Sequence, residues 1–221
     1  MKLRVKYALL LLFSITLFAC NTQSTSKEIP SKTSSNYSDS TKVKTDSLSN
    51  FQDNCNWEAV LSNTAVSNLA KAIYYHQNWN LKNDNEALAL LDSLNAKNKF
   101  SRAFYFKVVT LMYEKSDGYF SESLGLMGKD FVENHTNEFA SYFEMKNCFN
   151  EHDLNTWVKI VMLEFRILQD DIETTREEHL LYGYCRKLIN TSRNFPTSQK
   201  KTMEQFAHQL EIEWAEFLKH I

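Results

Sequence analysis

Residues that interrupt regular structure are scarce in this chain, and that scarcity limits its fold more than any motif does. The 221 residues hold four glycines and two prolines, and Pro30 lies near the N-terminus, so Pro196 is the only proline beyond Phe51. An all-β chain needs Gly- and Pro-rich turns at short intervals to reverse its strands. Few breakers in a stretch of about 170 residues, enough for one domain with a sizeable core, predict long helices instead.

Apolar spacing agrees. A first helix is predicted from about Trp57 to His76, with Val60, Leu61, Ala65, Leu69, Ala72 and Ile73 at the 3.6-residue period. A shorter one follows near Glu86 to Asn95, with Leu90, Leu91 and Leu94 facing inward. The third, about Phe100 to Lys115, is apolar on most sides and is expected to be packed on most sides, as the central element. Ser116-Asp117-Gly118 signals a turn, and Gly125 and Gly128 then fall inside a helical stretch from Phe120 to Asn134. A glycine inside a helix costs roughly 1 kcal/mol relative to alanine, so a neighbouring helix approaching closely is the expected reason for both. A ligand resting on exposed backbone is the alternative, without the spacing of a dinucleotide-phosphate loop.

A fifth helix is expected from Thr136, as N-cap, to about Phe149, and a sixth from about Asp153 to Leu168, contacted on two sides. A seventh spans about Thr175 to Thr191, and the last runs from Ser198 to about His220 with Met203, Phe206, Leu210, Trp214 and Phe217 as its stripe. The expected architecture is all-α: an irregular antiparallel bundle or α-hairpin array of about eight helices, with no repeat consensus.

The N-terminus has a different composition. Lys2, Arg4 and Lys6 precede an uncharged apolar run from Tyr7 to Phe18, too short to span a bilayer comfortably. Leu17-Phe18-Ala19-Cys20 then closes it. This stretch resembles the signal of bacterial membrane lipoproteins, in which a Leu-x-(Ala/Gly/Ser)-Cys lipobox is acylated at the cysteine and cut before it. The resemblance covers these first residues alone and implies a signal peptide over 1–19 and a mature chain starting at lipidated Cys20. It further implies three acyl chains, a lasting hold on the membrane given about 0.8 kcal/mol per buried methylene. Asn21, where an inner-membrane lipoprotein of enteric bacteria carries Asp, directs the expectation to the outer membrane. From Cys20 to residue 50 the chain is Ser- and Thr-rich with almost no apolar residues, a composition expected to form a disordered tether with a root-mean-square span of roughly 30 Å. The helical domain then occupies 51–221.

Loss of the three signal-peptide cations takes the formal charge from −2 to −5, a balance that disfavours a nucleic-acid partner. With Cys20 assigned to lipid, Cys55, Cys148 and Cys185 remain. In an oxidising compartment two of the three can pair, and the sequence does not choose which. None lies in a Cys-x-x-Cys motif.

Candidate chemistry is thin. Glu204, His208 and Glu211 share a face of the last helix at i, i+4 and i+7 and form a weak metal candidate, although a solvated charged face explains them as well. Glu177-Glu178-His179 has the same two readings. No catalytic motif and no cofactor signature is present. The expected function is therefore a lipid-anchored cell-envelope protein whose helical domain binds a protein or peptide without catalysis. Two alternatives stay open: a hydrolase whose site is assembled across helices, and a carrier holding an apolar ligand among its aromatic residues.

Overall fold

The computed structural model describes residues 55–81, 84–171 and 174–220, all within the compact unit Lys44–Ile221. The lipobox, Cys20 and the Ser/Thr-rich segment lie outside the described residues, as do the side chains of Glu177, Glu178 and His179. Nine α-helices and no strand are present among the described residues, and the fold is an all-α bundle. They are α1 (Glu58–Leu61), α2 (Asn68–Tyr74), α3 (Asp84–Asp92), α4 (Lys99–Met112), α5 (Gly118–Asn134), α6 (Thr136–Tyr142), α7 (Glu151–Asp171), α8 (Thr174–Thr191) and α9 (Thr197–Leu218). None of them is long and apolar enough to cross a membrane.

The single helix expected from Trp57 to His76 is instead two short ones, and local side-chain chemistry explains the break. Asn63 Oδ1 accepts the amide of Ala65 at 2.9 Å, and Ser67 Oγ accepts that of Ala70 at 3.1 Å as the N-cap of α2. Both side chains offer the backbone an alternative to continuing the helix. α2 ends in a Schellman motif. His76 takes the left-handed position usually given to glycine (φ 51°), with Gln77 N–H on Ala72 O and His76 N–H on Ile73 O.

A second correction concerns Thr136. It is not an N-cap; it is the first residue of α6, and its hydroxyl donates back to Val132 O (2.9 Å) in the helix before. α6 stops at Tyr142, short of the expected Phe149, and 143–149 form a run of tight turns. α7 opens with a reciprocal cap: Asn150 Oδ1 accepts the Asp153 amide (3.1 Å) and Asp153 Oδ2 accepts the Asn150 amide (3.0 Å).

α4 is buried along Ala103, Phe104, Phe106, Val108, Val109 and Met112, lying against α1, α2 and α3 and against α7. α7 in turn meets α4, α5, α8 and α9, so both helices that read as apolar on more than one side are covered on more than one side. The most intimate pair is α5 on α7. There Gly125 and Gly128 perform the expected close approach. A Cβ added at Gly125 would lie 2.8 Å from both the Glu164 backbone nitrogen and Leu163 Cβ, and one at Gly128 would overlap Ile160 Cγ2.

Phe106 centres the core. Its ring stacks on Trp157 (centroids 4.2 Å apart, planes 2° apart) and meets Tyr142, Phe149, Phe131 and Phe139 within 5.8 Å. The Trp157 indole N–H donates to Thr110 Oγ1 at 2.7 Å, and that hydroxyl donates to Phe106 O at 2.7 Å. The buried donor is thus satisfied, which spares the penalty of a desolvated orphan N–H.

Candidate functional site: a groove beside the disulfide

Where α6 gives way to α7, the turns of 143–149 and the start of α9 border an open groove of about 330 Å³. Phe143, Phe149 and Leu154 form its apolar lining; Phe149 and Leu154 are buried and Phe143 is half-buried. Thr202 and Gln205 line it from α9, and Lys146, Asn150 and Glu151 are exposed at its edge.

Polar contacts fix the groove's width. Gln199 is buried and bridges the two walls: its Nε2 donates to Glu144 Oε2 (2.7 Å), and its Oε1 accepts from Asn137 Nδ2 (3.1 Å). Ser198 Oγ also donates to Glu144. Behind the groove, Lys107 Nζ donates to both oxygens of the buried Asp153 carboxylate, at 2.8 and 2.9 Å, and lies 5.7 Å from the centroid of Phe149. A ring that lines the groove thus has an ammonium over it. Removing one partner of such a buried pair would strand the other without solvation.

A second buried pair tightens α4 against α6. Arg102 grips Glu138 with two hydrogen bonds (Nε to Oε1, 2.9 Å; Nη2 to Oε2, 2.7 Å), and Tyr142 donates its hydroxyl to the same carboxylate at 2.7 Å. Burial, and then the Glu138 carboxylate beside it, push the Tyr142 phenol far above its ordinary value, so it remains a donor. Nearby His135 is pushed down by partial burial and by the Arg102 charge.

Of the three cysteines open to pairing, Cys55 and Cys148 form a disulfide, with Cα atoms 5.2 Å apart. In sequence, Cys148 falls between Lys146 and Phe149, both of which line the groove. Cys185 is free and buried, its thiol donating to Ala207 O at 3.6 Å, and burial pushes its pKa up to about 12. At that value the reactive thiolate is scarce at neutral pH.

The metal candidates of α9 do not converge. Glu204 and His208 are exposed, Glu204 faces Lys200 at 4.0 Å, and Glu211 is half-buried near Cys185. Among the described residues no three His, Cys, Asp or Glu side chains are grouped to hold a metal ion. Among the described residues, the buried rings of the interior pack on one another.

Sequence reasoning ran the fifth helix on to about Phe149 and named none of Lys146, Asn150, Glu151, Thr202 and Gln205 as site residues. The groove depends on α6 ending early and on contacts spanning more than fifty residues of chain. The one local signal was Asn150-Glu151-His152-Asp153, which marks a fresh helix start and therefore a gap before it. No protein-family model, curated protein or solved structure matches the chain.

Proposed function

We propose that this chain is a lipid-anchored protein of the bacterial cell envelope, held at the outer membrane through Cys20, whose helical body binds a protein or peptide in the groove between the α6–α7 turns and α9. The observation that carries the binding reading is the make-up of that groove. An apolar lining of two aromatic rings and a leucine accepts a large apolar side chain. The edge supplies an ammonium, a carboxylate, two amides and a hydroxyl, the groups that satisfy a peptide backbone and its polar neighbours. The walls are tied to each other by Gln199, so the site is preformed, which lowers the ordering cost of binding. The disulfide supports the export half of the reading, since such bonds persist in oxidising compartments.

A photo-crosslinking residue at Gln205 in the native host tests the site, with Glu122 on α5 as the control position. A defined polypeptide adduct at Gln205, absent at Glu122 and lost when Thr202→Trp fills the groove, is the expected result. Equal labelling at the two positions, or none at either, would overturn it. Mass spectrometry of the mature N-terminus checks the anchor: the expected peptide begins at Cys20 and bears diacylglycerol on its sulfur.

A further inference from the structure

We propose that the groove selects a short segment in which an acidic side chain neighbours a large apolar one, and that Lys146 is the residue that reads the acid. This names the partner's chemistry for the binding reading above and rests on that reading.

The other charged groups at the groove each have a role within the chain. Lys107, over the Phe149 ring, is neutralised by Asp153, whose oxygens it meets at 2.8 and 2.9 Å. Glu144 accepts from Ser198 Oγ and Gln199 Nε2. Glu151 stands in the first turn of α7, where the unpaired N–H groups of a helix favour a carboxylate. Lys146 differs from all three. It lines the groove, it is exposed, and its ammonium forms neither an ion pair nor a hydrogen bond among the described residues. A charge without a partner in its own chain is complementary to one on the ligand, and at a rim such a match sets selectivity more than affinity.

The rest of the lining fixes what the acid is attached to. Phe143, Phe149 and Leu154 offer apolar surface in the same groove, so the ligand's carboxylate and its apolar anchor must lie within a few residues of each other. The volume of about 330 Å³ is near the lower end of the roughly 300–1,000 Å³ of ligand pockets, room for an anchor side chain and its neighbour. Asn150 adds a second donor. Its Oδ1 is taken by the Asp153 amide (3.1 Å), which leaves its Nδ2 end to the ligand. The Thr202 hydroxyl gives its proton to Ser198 O (3.2 Å) and so offers lone pairs. An incoming carboxylate thus finds donors in Lys146 and Asn150, and the N–H beside it finds an acceptor in Thr202.

Short random peptides displayed on phage and selected on the full chain read this preference. The expected selection pairs Asp or Glu with a nearby Leu, Phe, Trp or Met. Lys146→Glu should exchange the acid for Lys or Arg, and Lys146→Ala should keep the apolar anchor and lose the charge preference. For a selected peptide, fluorescence anisotropy should show about two- to five-fold weaker binding to Lys146→Ala, a gap that closes as salt is raised. Lys219→Ala, which removes an exposed lysine at the other end of α9, should change neither readout. Apolar peptides without an acidic bias, or a bias that survives Lys146→Ala, would overturn the proposal and leave the groove reading standing. Recovery of no peptide, or of peptides that bind Thr202→Trp as well as they bind the parent chain, would overturn both.

Discussion

The α5–α7 seam and the groove share α7 yet solve opposite problems. In the seam, side-chain volume is removed until two backbones touch: Gly125 lies against the Glu164 nitrogen and Gly128 under Ile160. At the groove, bulk and polarity hold elements apart. Phe143 and Phe149 line the space between the turn and α9, and Gln199 with Glu144 spans it by hydrogen bonds. The seam excludes everything, itself included where a methyl group would intrude. The groove keeps a fixed space open. The difference teaches that glycine scarcity and glycine placement are separate signals: the first gives the helices their length, and the second marks where two of them meet without a gap.

The largest effect is expected from removing the Cys55–Cys148 disulfide. Cys55 and Cys148 are 93 residues apart in sequence, and by the loop-entropy relation a cross-link of that span is worth about 3–4 kcal/mol after allowance for structure left in the unfolded chain. Urea unfolding of the Cys55→Ser/Cys148→Ser variant should show a loss of that order. Next comes the seam. Gly125→Ala places a methyl group 2.8 Å from backbone that cannot yield, and overpacking should outweigh the gain in helix propensity to leave a net loss of about 1–2 kcal/mol. Gly183→Ala in α8 is the internal control. Nothing lies within 4 Å of the added methyl, so the same exchange should stabilise by about 0.5–1 kcal/mol in the same assay. If the two glycines respond alike, the seam is not as close as described.

A pH experiment reaches the outer side of α5. Glu133 bonds to Lys187 and pairs with Lys129 at 3.7 Å, and the Lys187 bond holds its carboxyl below the usual value. A depressed folded pKa stabilises above the unfolded value and loses that contribution as pH falls through the folded one. Glu133→Gln should therefore flatten the acid side of a stability–pH curve and leave its shape above the carboxylate range unchanged. The smallest effect belongs to the groove lining: Gln205→Ala should shift the urea midpoint hardly at all, by less than about 0.5 kcal/mol, because the site is not built for stability.

Much of the helical body was legible from residues alone, for reasons that locate the failures. The α4 and α7 patterns are long and apolar on several sides, and burial followed. Gly125 and Gly128 each carried a propensity cost that only a close neighbour explains, and the neighbour is there. The failures fall where short-range polar bonds outweigh periodicity. Val60 to Ile73 keeps a helical stripe throughout, but Asn63 and Ser67 turn the chain between its halves. Thr136 has the side chain of an N-cap, yet its hydroxyl serves the carbonyl behind it. The groove was not legible. Its walls come from 143–154 and 202–205, each with an adequate local explanation as core or as solvated helix, and only their juxtaposition makes a site.

Cys185, sealed between α8 and α9 by Ala207, gives the molecule an internal clock. A maleimide added to the native chain finds no other free thiol among the described residues, and this one reacts only during the moments when the two helices part. Its labelling rate thus counts those partings directly, without a spectroscopic tag or an engineered handle.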